Sequence, residues 1–270
     1  MKLTVLVDNH TSCYVEPYFL GEPGLCYYIE DDGMCFLWDT GYTDIFIKNA
    51  EKMGIDLSTI DAIVLSHGHN DHTRGLDYYF KTFDNPKLKI ICHPNALISK
   101  SRDGENIGMD LSETYLKEHC ELILTKEPYP VSKNITFLGE IGKSTDFEPR
   151  KAMGTICCNG CEDDYLFDDS ALAYKTDKGV YIVTGCSHSG ICNIAEQAKT
   201  VTDTTQVLGI IGGFHLYKRG EQVDRTIDYF IKNKIDILYP CHCTAFKIIA
   251  AIHQAIPLKR EVSVGMTLEW

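Results

Sequence analysis

AIVLSHGHNDH, residues 62–72, sets a short apolar run directly against three imidazoles and a carboxylate. The β-branched start predicts a strand, so the polar residues emerge at its C-terminal end, where α/β folds place their sites. His67 and His69 flank Gly68, whose freedom lets the backbone turn tightly enough for both rings to reach one ion. Asp71 and His72 follow one step later and can address a second ion. Imidazole and carboxylate are borderline and hard donors, suited to zinc, iron or manganese. A loop that merely happens to be rich in histidine is the bland alternative; four donors in this strand–loop context argue against it.

Outward from this segment, strand-like runs recur at 4–7, 25–29, 35–39, 88–92, 135–139, 172–176, 180–184, 207–211 and 236–240. Helices are predicted over 43–53, 112–119, 190–200, 222–233 and 244–255, the fourth with Val223, Ile227, Phe230 and Ile231 at helical spacing. Strands dominate early, including a hairpin over 25–39 around DDG, and strands and helices alternate after residue 60. Two β-sheets covered by helices, one from each half of the chain, absorb this pattern. No repeat and no low-complexity linker divides the sequence, so one domain over 1–270 is expected.

Composition narrows the partners. The 270 residues are 44% hydrophobic and carry 26 basic against 38 acidic side chains, a formal charge of −12. That balance disfavours a nucleic-acid partner, which needs clustered Lys and Arg. It still allows a small anionic substrate, because a metal ion reverses the local field. No apolar run is long enough to cross a bilayer, and MKLTVLVDNH reads as a first strand rather than a secretion signal, so a cytoplasmic location and no membrane partner are expected. The twelve cysteines are then expected mostly as thiols.

The segment 67–72 resembles the His-x-His-x-Asp-His signature of the metallo-β-lactamase superfamily, and WDTGYT at 38–43 resembles that family's earlier Asp-containing strand end. The resemblance implies an αββα four-layer sandwich of two mixed sheets flanked by helices. It also implies that Asp39 braces the metal-binding loop; a turn or helix N-cap role before 43–53 is the alternative. GEIGKSTDFE (139–148), TGCSHSGICNI (184–194), GGFHL (212–216) and PCHCTAF (240–246) together resemble the dihydropterin ribofuranosylaminobenzene-phosphate synthase-like subfamily. The chain departs from that group at TRGL (73–76), at Cys241 and at Ala245.

By this resemblance His188 is the third imidazole for the ion held by His67 and His69, and His242 completes the second set with Asp71 and His72. Cys186 stands where many members carry a bridging aspartate and some a cysteine; a small buried hydrophobe is its other reading. The separate histidine usual in the family is missing between 73 and 187, where only His93 and His119 occur. His93 is expected to line the cavity or cap an element, and His119 to lie on the surface. Either the GCSH segment serves twice or Glu148 stands in. His215, at another strand end, is expected to donate to substrate or carry a proton, or else to cap the next helix. Cys157, Cys158 and Cys161 fall short of the four thiolates a cluster needs and read as loop thiols.

The chemistry expected is metal-dependent hydrolysis of a small phosphoester, ester or lactone, with Asp71 and His215 catalytic. One or two divalent ions, zinc first and iron, manganese or nickel as alternatives, would lower the pKa of a water held between them towards about 7. The subfamily resemblance implies instead a condensing transferase on a pterin, with metals assisting pyrophosphate departure. A non-hydrolytic metal or redox protein using the thiols is a further class; a nuclease is disfavoured by the charge.

Overall fold

The computed structural model describes residues 1–12, 16–157 and 160–270. In chain order its elements are β1 (Lys2–Val7), β2 (Cys26–Asp31), β3 (Met34–Trp38), α1 (Ile45–Met53), β4 (Ala62–Val64), α2 (Asn70–Thr73), α3 (Gly75–Thr82), β5 (Lys89–Cys92), β6 (Ser99–Arg102), β7 (Glu105–Asn106), α4 (Glu113–His119) and β8 (Glu121–Leu124). They continue with β9 (Tyr129–Pro130), β10 (Ile135–Phe137), β11 (Thr155–Cys157), β12 (Cys161–Asp163), β13 (Ala171–Thr176), β14 (Gly179–Thr184), α5 (Ile191–Thr202), β15 (Val207–Gly213), α6 (Glu221–Lys232), β16 (Ile237–Cys241), α7 (Phe246–Ala255) and β17 (Thr267–Glu269). Every strand run and helix read from the sequence is present. The chain divides into two compact units, one of residues 1–126, 152–168 and 263–270, the other of 127–151 and 169–262.

The first unit is built on a seven-stranded sheet of order β17-β1-β2-β3-β4-β5-β8. β1, β2 and β3 run antiparallel, with Asp32 and Gly33 both left-handed at the hairpin turn, as a right-twisted two-residue hairpin requires. β3, β4, β5 and β8 are parallel, so their C-terminal ends share one edge. Phe46, Ile47 and Ala50 of α1 join Leu37, Ile63, Ile90 and Tyr79 in one core. The segment 70–82 forms two short helices that the sequence reading leaves without structure. Its Gly, Thr and Tyr residues are poor helix formers, and the burial of Leu76 and Tyr79 overrides them. A further four-stranded sheet, β12-β11-β6-β7, accompanies the two large sheets expected. The return of β17 to the edge of β1 corrects the division of one sheet per half of the chain.

The second unit has a six-stranded sheet, β16-β15-β14-β13-β10-β9. β14, β15 and β16 are parallel, connected through α5 and α6, because parallel neighbours need a crossover. Val223, Ile227 and Phe230 of α6 enter the core with Ile182, Ile210 and Leu238. Ile231 does not; it is 52% exposed, one position beyond the inward stripe. Among the described residues no helix is long and apolar enough to cross a membrane.

Candidate metal centre

In the first unit the donors collect where β3 and β4 end. Asp39 follows β3 in a left-handed conformation, φ 59°, and is fully buried. Its Oδ1 accepts the Ser66 N–H at 2.7 Å, and its Oδ2 accepts the Ser66 hydroxyl at 2.8 Å and faces His72 Nδ1 at 2.7 Å. These bonds fix two tautomers. His72 donates from Nδ1 to the carboxylate. Ser66 Oγ, whose hydrogen points to Asp39 Oδ2, accepts from His67 Nδ1 at 2.8 Å. In its neutral form each ring is thereby left with a lone pair on Nε2, the state a metal ligand needs. Asp39 thus braces the loop, and the helix-cap alternative does not hold, since α1 is entered at Asp44.

Around these rings, His67 Nε2 lies 3.0 Å from His69 Nδ1, and His72 Nε2 lies 3.5 Å from Asp71 Oδ2. Burial pushes the His69 imidazole down to about 4, which keeps it neutral. Gly68 is required here for closeness rather than for a turn: a Cβ would sit 2.3 Å from the Ala96 carbonyl oxygen. Its N–H donates to Asp168 Oδ2 at 2.8 Å. Asp168 Oδ1 accepts from Lys100 Nζ at 3.0 Å, and Lys100, 0% exposed, also donates to Asp164 at 3.0 Å.

No reading of the sequence finds this Lys100–Asp164–Asp168 group; SKSR and FDDS carry no motif, and the partners are distant in the chain. His93 accepts the Asn95 N–H at 3.0 Å and caps the turn that follows, as expected. His119 is exposed. Cys157 and Cys161 are cross-strand partners of β11 and β12 joined by a disulfide, which corrects their reading as loop thiols. Cys158 lies outside the described residues.

In the second unit each parallel strand delivers one donor loop, and each loop passes through a left-handed residue. After β14 come Cys186, Ser187 (φ 60°) and His188; after β15, His215 (φ 49°); after β16, His242 (φ 49°). Left-handed backbone is uncommon for such residues and re-aims the side chain at a strand end. Ser187 Oγ donates to the Gly213 carbonyl at 2.6 Å, tying the first loop to the second. Donor atoms of Cys186 and His242 lie within 4.8 Å of one another. The rings of His188 and His215 are 4.2 Å apart, and Tyr217 meets His215 edge-on at 4.9 Å. α6 starts from Gly220, so His215 is not its cap.

Glu148 has another task than metal binding. Its oxygens accept the N–H groups of Cys192 at 3.1 Å and Asn193 at 2.8 Å, satisfying the first turn of α5. Burial raises its carboxyl above the ordinary range despite those bonds.

The two donor sets fit a divalent cation of the zinc kind: imidazoles and a carboxylate in one unit, imidazoles and a buried thiol in the other. The metallo-beta-lactamase superfamily model matches residues 20–118. An uncharacterized protein of Methanocaldococcus jannaschii is 31% identical, over 93% of this chain and 94% of its own length. The 7,8-dihydropterin-6-methyl-4-(beta-D-ribofuranosyl)-aminobenzene-5'-phosphate synthase of the same organism is 30% identical, over 92% of this chain and 88% of its own. The crystal structure of a metal-dependent hydrolase of the beta-lactamase superfamily superposes with a TM-score of 0.84 at 26% identity, covering 100% of this chain and 99% of that one. With its mixed sheets, its signature segment and these relatives, the chain belongs to the metallo-β-lactamase superfamily.

Proposed function

We propose that the protein is a metal-dependent hydrolase of a small anionic substrate, a phosphoester or an ester or lactone. In this reading one catalytic domain spans 1–270. His67, His69 and His188 hold one ion, and Asp71, His72, Cys186 and His242 a second, with zinc the first choice and iron, manganese or nickel the alternatives. The observation that carries it is the Asp39 carboxylate, which sets the tautomers of His67 and His72 together. A divalent ion so held supplies Lewis acidity and brings the pKa of water towards about 7.

The chain's own residues do the rest. Asp71, whose side chain is 29% exposed, accepts a hydrogen bond from the attacking water and orients it. His215, beside His188, donates from its ring to the leaving oxygen. The formal charge of −12 favours a small-molecule substrate over nucleic acid.

A second reading, a pterin-related condensing transferase, is favoured by the 30% identity to the named synthase over 92% of this chain. One experiment separates the two: metal analysis with a phosphoester and lactone panel, run beside the condensation assay, on wild type and Asp71→Ala. The hydrolase reading expects turnover of a panel member and loss of both metal and turnover in the variant. Condensation without hydrolysis favours the transferase. Hydrolysis that survives in Asp71→Ala contradicts the role of this carboxylate.

A further inference from the structure

Asp168 and Asp169 are consecutive, fully buried, and make the same contact with two different loops. Asp168 is the last residue of a stretch of the first unit, and Asp169 opens a stretch of the second. Asp168 Oδ2 accepts the N–H of Gly68, and Asp169 Oδ2 accepts the N–H of Ser189, each at 2.8 Å. Gly68 directly follows His67; Ser189 directly follows His188. Each carboxylate therefore grips the amide one residue beyond a histidine.

The surroundings argue that these grips are more than packing. A buried carboxylate costs free energy unless it is paired, and a neutral amide side chain could accept the same N–H. Asp168 is held by Lys100, which shares its ammonium with Asp164, so the side chain that sets Gly68 is itself immobilised from behind. A carboxylate-to-amide bond is charge-assisted, shorter and stronger than its neutral counterpart.

We propose that Asp168 and Asp169 are a positioning pair that sets the His67–His69 loop and His188 for the ion these three share, and not for the ion assigned to Asp71, His72, Cys186 and His242. The proposal rests on the metal reading above. Cobalt(II) titration of chelator-treated protein reports the two sites separately. An ion bound by Cys186 gives a thiolate charge-transfer band in the near ultraviolet; an ion held by histidines alone gives only visible d–d absorption.

Asp168→Ala and Asp169→Ala are expected to weaken the thiolate-free site by about tenfold or more. The charge-transfer band should keep its midpoint. Asp169→Asn, which retains an oxygen for the Ser189 N–H without the charge, should recover only part of the affinity lost in Asp169→Ala. Both bands shifting together, or neither shifting, overturns the proposal. A wild type that shows no cobalt bands overturns the underlying metal reading, and the proposal with it. Should Asp168→Ala fail to fold, the two Asp169 variants carry the same test.

Discussion

The two units present their imidazoles by opposite means. In the first, four donors crowd into six residues at the end of β4, and one carboxylate, Asp39, holds two of the rings in register. In the second, the donors come one loop at a time from β14, β15 and β16, and each loop is bent through a left-handed residue, Ser187, His215 or His242. The first arrangement concentrates its geometry in a few hydrogen bonds, so one substitution should dismantle it. The second spreads the requirement over three backbone conformations, each costing about 1–3 kcal/mol and held by the surrounding sheet. Single side-chain changes there should do less.

The largest effect is expected at Lys100. Lys100→Met leaves Asp164 and Asp168 buried without their cation and should cost about 3–5 kcal/mol in urea unfolding. Its pH signature has a definite sign. Burial pushes the Asp168 carboxyl up, but Lys100 and the Gly68 N–H outweigh it and hold the group below its ordinary 3.8. That stabilisation is present above the unfolded value and is lost as pH falls through the lower folded one. Without Lys100 the loss should begin at a higher pH, measured as the acid-unfolding midpoint. An unchanged midpoint would break the assignment of this pair.

Asp39→Ala comes next. It removes the bonds to Ser66 and His72 together and should weaken metal binding about 10–100-fold in a chelator competition. His215→Ala, within the dispersed set, should leave metal content unchanged while turnover falls. Equal metal loss in both variants would erase the contrast between the units.

Smaller still is Glu148→Ala, which strips two amides at the start of α5 of their acceptor. It should cost about 1–3 kcal/mol in thermal or urea unfolding with no change in metal stoichiometry. Metal loss without destabilisation would return Glu148 to the ligand set. Smallest is His93→Ala: a lost cap worth about 1 kcal/mol, with metal binding intact by the same two measurements.

The same contrast explains what the sequence could disclose. The candidate donors of the first unit are legible because strand, turn and candidate ligands fall within one short segment, where local chemistry and local structure coincide. Cys186, His188 and His242 were found only as strand-end positions and through family likeness, since what gathers them is the parallel pairing of three strands. Lys100 was invisible: a lysine in the polar run SKSR reads as solvated, and its burial depends on carboxylates more than sixty residues away. Glu148 reads as a candidate ligand in the sequence because its partner, the first turn of α5, begins over forty residues later. Cys157 and Cys161 gave no sign of pairing until β11 and β12 set them opposite each other.

The most direct test is an anomalous-scattering map of zinc-loaded crystals. The account predicts metal peaks about 3.5–4 Å apart, one touching His67, His69 and His188 and the other Asp71, His72, Cys186 and His242. Peaks away from these side chains, or no peaks at all, would contradict it.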